Sequence, residues 1–168
     1  NRVTIDKIHC EGITRISPDD IRYAKELGYG IKLLAIAKKH DGKIEARVHP
    51  TFIPLSHPLT AVRDSYNAIF IQGDMVGDLM FYGRGAGDLP TASAIVSDII
   101  TAAQNGGTHH SVRLDEDKTV FEDNWKNEYY MRLVVLDKPG VLAEIAGIFG
   151  RHNVSLDSVM QKLRGNDN

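Results

Sequence analysis

The stretch Met80–Ile100 (MFYGRGAGDLPTASAIVSDII) restricts what this chain can fold into more than any other part of it. A short apolar strand, Met80, Phe81 and Tyr82, runs into three glycines spaced by single residues, Gly83, Gly85 and Gly87. Asp88–Thr91 then opens a helix on which Ala92, Ala94, Ile95, Val96, Ile99 and Ile100 form one broad apolar face. Glycines at a strand-to-helix junction permit positive φ and let a ligand or another backbone come close. The free N–H groups of the helix start can hold an anion. The spacing G-x-G-x-G departs from the dinucleotide fingerprint G-x-G-x-x-G. Nor does a carboxylate close a strand some twenty residues later, as that fingerprint requires. Two readings therefore stand: a loop that admits a ligand, or a tight turn ahead of a buried helix.

Composition narrows the class. The 168 residues suffice for one ordinary domain or two small ones. With 42% hydrophobic and 25% charged residues, the chain has the make-up of an ordinary soluble globular protein rather than a disordered one. A formal charge of −2 leaves no basic footprint for nucleic acid. No apolar run reaches the roughly 18 residues of a membrane span, and no signal peptide is visible. Cys10 is the single cysteine, which excludes an intrachain disulfide and fits a reducing cytoplasm. The chain opens at Asn1 directly in a β-like run, which reads as a piece of a longer protein.

Taken in order, Val3, Ile5, Ile8 and Cys10 alternate imperfectly and predict a first extended segment ending near Gly12. Ser17, Pro18, Asp19 and Asp20 together form a helix start. Ile21, Ala24 and Leu27 share a face of that helix, and Gly28 or Gly30 stops it. Ile31–Lys39 and Lys43–Val48 flank Asp41-Gly42, the strongest short-range hairpin signal. Three prolines in residues 49–58 (HPTFIPLSHP) predict that the chain leaves the sheet there. Tyr66–Gln72 and Asp78–Tyr82 read as a second strand pair around Gly73, Asp74 and Gly77. The fold class that follows is α+β, a mostly antiparallel sheet with helices packed on it.

From residue 105 to 128 apolar periodicity stops, so this segment reads as a linker with at most one short ordered turn. His109 and His110 lie in it without a nearby Cys or a further His at ligand spacing, so they read as solvated rather than metal-binding. A new unit starts at Tyr129: a strand (YYMRLVVLD), the breaker Asp137-Lys138-Pro139-Gly140, an amphipathic helix over Val141–His152, and a second strand over Val154–Met160. Two strands and one helix bury little core by themselves.

Two resemblances attach to these residues. HCEGITRISPDDIRYAKELGYGIKLLAIA, EARVHPTFIPLSHPL and NAIFIQGDMVGDLMFYGRGAGDLPTASAIVSDI together resemble bacterial homoserine dehydrogenase over residues 1–104. RLVVLDKPGVLAEIAGIFGRHNVSLDSV, within residues 129–168, resembles the first half of an ACT domain, a ferredoxin-like βαβ module that binds small regulatory molecules.

The first resemblance implies an enzyme that interconverts L-homoserine and L-aspartate 4-semialdehyde with NADP or NAD. That step belongs to threonine, methionine and isoleucine biosynthesis. It also implies that the Rossmann-type domain, the catalytic Asp and Lys and the substrate-binding Glu lie upstream of Asn1, so that these residues hold no catalytic group and are inactive alone. Lys32 does not supply the missing lysine, because Gly28, not an Asp, stands four residues before it. The glycine loop would close beside the nicotinamide, which makes Gly83, Gly85, Gly87 and Thr91 the cofactor-side candidates, acting through backbone N–H groups. Ile31–Ala37, Ala46–Val48 and Ala68–Ile71 would supply packing and a homodimer surface. The second resemblance implies an amino-acid effector, L-threonine by analogy, held by Asp137, Gly140, Val141 and Leu142 with Asn153 and Val154 facing them. In the plainer reading Pro139 and Gly140 only shape a helix start. The competing account of the whole chain is an amino-acid-binding or dimerisation module without catalysis.

Overall fold

The computed structural model describes residues 4–106, 120–122 and 124–162. The chain divides into two compact units, Asn1–Glu128 and Tyr129–Asn168.

A long hairpin dominates the first unit. Strands β2 (Tyr29–His40) and β3 (Lys43–Pro54) pair antiparallel along their whole length, from His40↔Lys43 to Tyr29↔Pro54. Their two-residue turn has Asp41 at φ 48° and Gly42 at φ 74°, the positive pair that matches the twist of the flanking strands. β3 also carries two short parallel partners on its other edge. β1 (His9–Cys10) pairs with Arg47 and Val48, and β6 (Val120–Phe121) pairs with Lys43 and Ile44.

Here the structure corrects two expectations. The first extended segment is only β1; Ile5–Lys7 forms a single 3-10 turn, in line with the imperfect alternation before it. The chain does not leave the sheet at its prolines either, since β3 continues through Pro50 and ends at Pro54. Strand parity explains why. Ile44 and Val48 turn their carbonyls outward, to the N–H groups of Glu122 and Glu11. Pro50 and Pro54 share that parity, so their missing N–H groups fall on the open outer edge and the ladder to β2 loses nothing.

Helix α1 (Pro18–Glu26) packs beside β2. It starts with a complete capping box: Asp20 N–H donates to Ser17 Oγ at 3.2 Å, and Ser17 N–H to Asp20 Oδ2 at 2.8 Å. Gly28 at φ 84° ends it. Ala24 on its expected apolar face is buried, while Ile21 is exposed. The Lys32 ammonium donates to the Val62 carbonyl, which ties β2 to the 3-10 turn Pro58–Ala61.

The second hairpin is β4 (Tyr66–Gly73) and β5 (Gly77–Arg84). On one face Tyr66 stacks on Tyr82 and His57 meets Phe70. On the other, Ile69 is paired with Phe81 and Ile71 with Leu79, and all four are exposed. Helix α2 (Asp88–Gln104) follows, with Leu89, Ile95, Val96, Ile99 and Ile100 exposed. Among the described residues, the buried hydrophobic side chains are Ala24 and Ile53 alone. A hairpin apolar on both faces and a helix this apolar are built to be covered.

In the second unit, helix α3 (Val141–Arg151) forms as expected. The flanking segments read as strands, 129–137 and 154–160, form no ladder among the described residues. A split βαβ unit leaves a gap between its two strands for a further one, so neither finds a neighbour here. His109 and His110 lie outside the described residues.

Candidate functional site

The glycine loop connects β5 to α2, and each glycine has a distinct job. Gly83 is still in the ladder, paired with Asn67, and a Cβ there would meet nothing within 4 Å. Gly85 donates its N–H to Ser65 O at 2.9 Å. A Cβ on Gly85 would lie 1.7 Å from Asn67 Nδ2, so the loop passes over Asn67 only because that side chain is absent. Gly87 is the N-cap of α2 at φ 120°, ψ 157°, a conformation essentially restricted to glycine. Thr91 N–H and Oγ1 both donate to Gly87 O, at 3.1 and 2.7 Å. The threonine hydroxyl therefore fixes the loop from inside.

No side chain caps the start of α2. The N–H groups of Asp88 and Leu89 remain directed out of the helix, and Pro90 contributes none. They border an open hollow lined by Arg84, Gly87, Asp88, Leu89, Pro90 and Ser93. The Arg84 guanidinium lies over the Tyr66 ring, 5.1 Å from its centroid, so its base is braced by the hairpin. A cation and a helix start on one hollow suit a negatively charged or strongly polar ligand group. Gly85, Gly87 and Thr91 are thus brought together, with Gly83 one step back on the strand. Asn67, Arg84 and Ser93 were missed by reading the glycines alone. The signal was present: Arg84 is the one charged residue inside FYGRGAG.

In the second unit, Gly140 at φ 92° is the N-cap of α3, again with no side-chain cap. Val141 N–H donates weakly to Lys138 O at 3.4 Å, Asp137 is exposed two residues before the turn, and Leu142 is exposed in the first helical turn. Asn153 and Val154 end the same helix. Asn153 is left-handed at φ 55°, its N–H donates to Gly150 O, and Val154 N–H donates to Phe149 O at 3.0 Å. That pair of bonds is a Schellman stop, so both residues have a structural duty at the opposite end of α3 from Asp137 and Gly140.

The fold is a two-part α+β chain: a body whose second hairpin runs through a glycine loop into α2, then a small unit built on α3. The ACT domain profile matches residues 129–166. The homoserine dehydrogenase profile matches residues 1–100, and the chain belongs to that family. It is 43% identical to homoserine dehydrogenase of Corynebacterium glutamicum, over 99% of this chain and 39% of that one. To the Bacillus subtilis enzyme it is 35% identical, over 98% and 40%. A crystal structure of a homoserine dehydrogenase from Thiobacillus denitrificans superposes at TM-score 0.70 with 35% identity, covering 95% of this chain and 39% of that one. The chain spans about two fifths of the length of these relatives. No helix among the described residues is long and apolar enough to cross a membrane.

Proposed function

We propose that the protein containing these residues interconverts L-homoserine and L-aspartate 4-semialdehyde with NAD or NADP, in the cytoplasm, on the route to threonine, methionine and isoleucine. The observation that supports this most is the union of family membership with the glycine loop: Gly85 lets the loop pass over Asn67, and Gly87 starts α2 with its N–H groups uncapped. A nicotinamide cofactor, when bound, supplies the hydride acceptor. In this reading Gly83, Gly85 and Gly87 let the backbone approach it, Thr91 holds the loop in shape, and Arg84 favours its polar groups. No side chain of these residues is assigned proton transfer. The domain arrangement we propose is a substrate and dimerisation region over 1–104, a connecting segment over 105–128 and a partial ACT domain over 129–168.

The partner surface we propose is a second copy. One face of the β2–β3 hairpin carries Leu33, Ala35 and Ala37, all exposed, beside Ala46, Val48 and Pro50 across the ladder. Apolar side chains of this size on an open sheet face suit sheet-on-sheet burial. The effector we propose is L-threonine, its carboxylate at the N–H groups of Val141 and Leu142 and its ammonium at Asp137, with Gly140 shaping the turn. Homoserine-dependent reduction of NADP and NAD by the full-length parent, with and without L-threonine, tests all of this. Activity suppressed by threonine is expected. Absence of reduction with both cofactors would overturn the enzyme reading, and activity indifferent to threonine would remove the effector.

A further inference from the structure

The segment before the second unit is not a free tether. Val120 and Phe121 pair in parallel with Lys43 and Ile44, and Glu122 N–H donates to Ile44 O at 3.0 Å. Lys43 Nζ closes on Glu122 Oε2 at 2.7 Å. Further along, the Trp125 ring receives the guanidinium of Arg47 on its face, 5.2 Å from the centroid, and Arg47 Nη2 donates to Asn127 Oδ1 at 3.3 Å. Arg47 is 4% exposed and also pairs with Glu45, two residues before it on the same strand face. A buried, charge-paired arginine is a stiff platform, so the tryptophan is seated on a fixed group.

The same edge of β3 holds the other end of the unit. β1 is paired with Arg47 and Val48, with Glu45 and Ala46 between them and the residues that β6 covers. The two edge segments also touch each other: Lys7 Nζ lies 5.6 Å from the Phe121 ring centroid, and the His9 ring 5.6 Å from that of Trp125. Neither can shift without disturbing its neighbour. Asn127 stands two residues before the second unit begins at Tyr129. From Trp125 to Tyr129, four residues of chain can extend no more than about 14 Å, so movement of that unit soon draws on Trp125.

We propose that residues 120–122 and 124–127 act as a coupling strap: a change in the ACT unit pulls on Trp125 and Asn127, and through Arg47 and His9 alters how β1 sits on the sheet edge. This rests on the reading above that the ACT unit regulates the enzyme body. Trp125 and Arg47 are positioning residues in it, and neither belongs to the glycine loop or to the turn that follows Asp137.

The experiment uses the full-length enzyme with Trp125→Ala, Trp125→Phe and Glu122→Gln, measuring uninhibited kcat and KM, inhibition by L-threonine, and threonine binding by calorimetry. Trp125→Ala is expected to bind threonine as the parent does and keep its uninhibited rate. Its half-inhibiting threonine concentration should rise about fivefold or more, the lower end of ordinary allosteric coupling. Trp125→Phe, which keeps a ring for Arg47, should restore most of the sensitivity. Glu122→Gln, an exposed change that leaves folding intact, should shift it in the same direction by less. If the parent is inhibited and both Trp125→Ala and Glu122→Gln are inhibited equally well, the strap is only an edge cover and the proposal is overturned. A parent that neither binds nor responds to threonine would instead sink the effector reading, and the strap with it.

Discussion

Helices α1 and α2 begin in opposite ways. At α1, Ser17 and Asp20 satisfy each other's backbone N–H groups, Pro18 removes a donor, and Asp20 is buried in the process. At α2 the cap is a glycine at φ 120°, no side chain accepts from the first turn, and the hollow beside it is open. Helix α3 resembles α2, with Gly140 as its cap. A helix start completed by its own side chains serves the fold; one left to backbone alone keeps its donors for something else. On the function proposed above, that difference separates structural from ligand-facing elements within one chain.

The largest test of that contrast is Gly87→Ala in the full-length enzyme. A side chain at φ 120°, ψ 157° costs about 1–3 kcal/mol, and relief of that strain would re-aim the start of α2. Thermal unfolding should fall by several degrees and the KM for the nicotinamide cofactor should rise about tenfold, as for any misplaced positioning element. Retention of both values would make the α2 start no more special than that of α1. Ser17→Ala should have a smaller and different effect, about 1 kcal/mol of stability lost in denaturant titration. Its kcat/KM should stay at the parent value; a drop in kcat/KM would erase the distinction.

The smallest effect concerns a polar contact outside all three helix starts. The hydrogen bond from Lys43, and then its charge, hold the Glu122 carboxyl below the usual carboxylate range. The same hydrogen bond raises Lys43. The contribution of Glu122 is therefore complete above the ordinary carboxylate range and lost as pH falls through its lowered value. That of Lys43 is complete below the ordinary lysine range and lost as pH rises through its raised value. Hydrogen exchange at the Glu122 amide, corrected for its intrinsic pH dependence, should be slowest between the two and speed up slightly on either side. Glu122→Gln should flatten both limbs, and a profile unchanged by it would assign the protection to the ladder alone.

Much of the fold was legible where local chemistry decides it. Asp41-Gly42 can hardly be read as anything but a hairpin turn, and Ser17-Pro18-Asp19-Asp20 writes out its own cap. The length of β3 was not legible, because three prolines argue against a strand until the direction of each N–H is known. The strap was hidden for another reason. Val120 and Phe121 are too few to show a period, and Trp125 gains its meaning only from Arg47, on a strand that contacts it through space. The segments flanking α3 have strand composition, yet a strand exists only with a neighbour, which composition cannot supply. At the candidate site the glycines announced themselves, whereas Asn67 became visible only through the Cβ that Gly85 lacks.

The strap also has an unequal place in the order of loop closure. The β2–β3 hairpin closes across two residues, whereas Lys43 and Glu122 stand 79 apart in sequence. Closure entropy grows with the span to be enclosed, and a two-residue ladder with one exposed ion pair offers little to offset it. Of the pairings along β3, that of β6 therefore carries the largest closure cost. The sheet can release this edge reversibly while the hairpin beneath it stays folded.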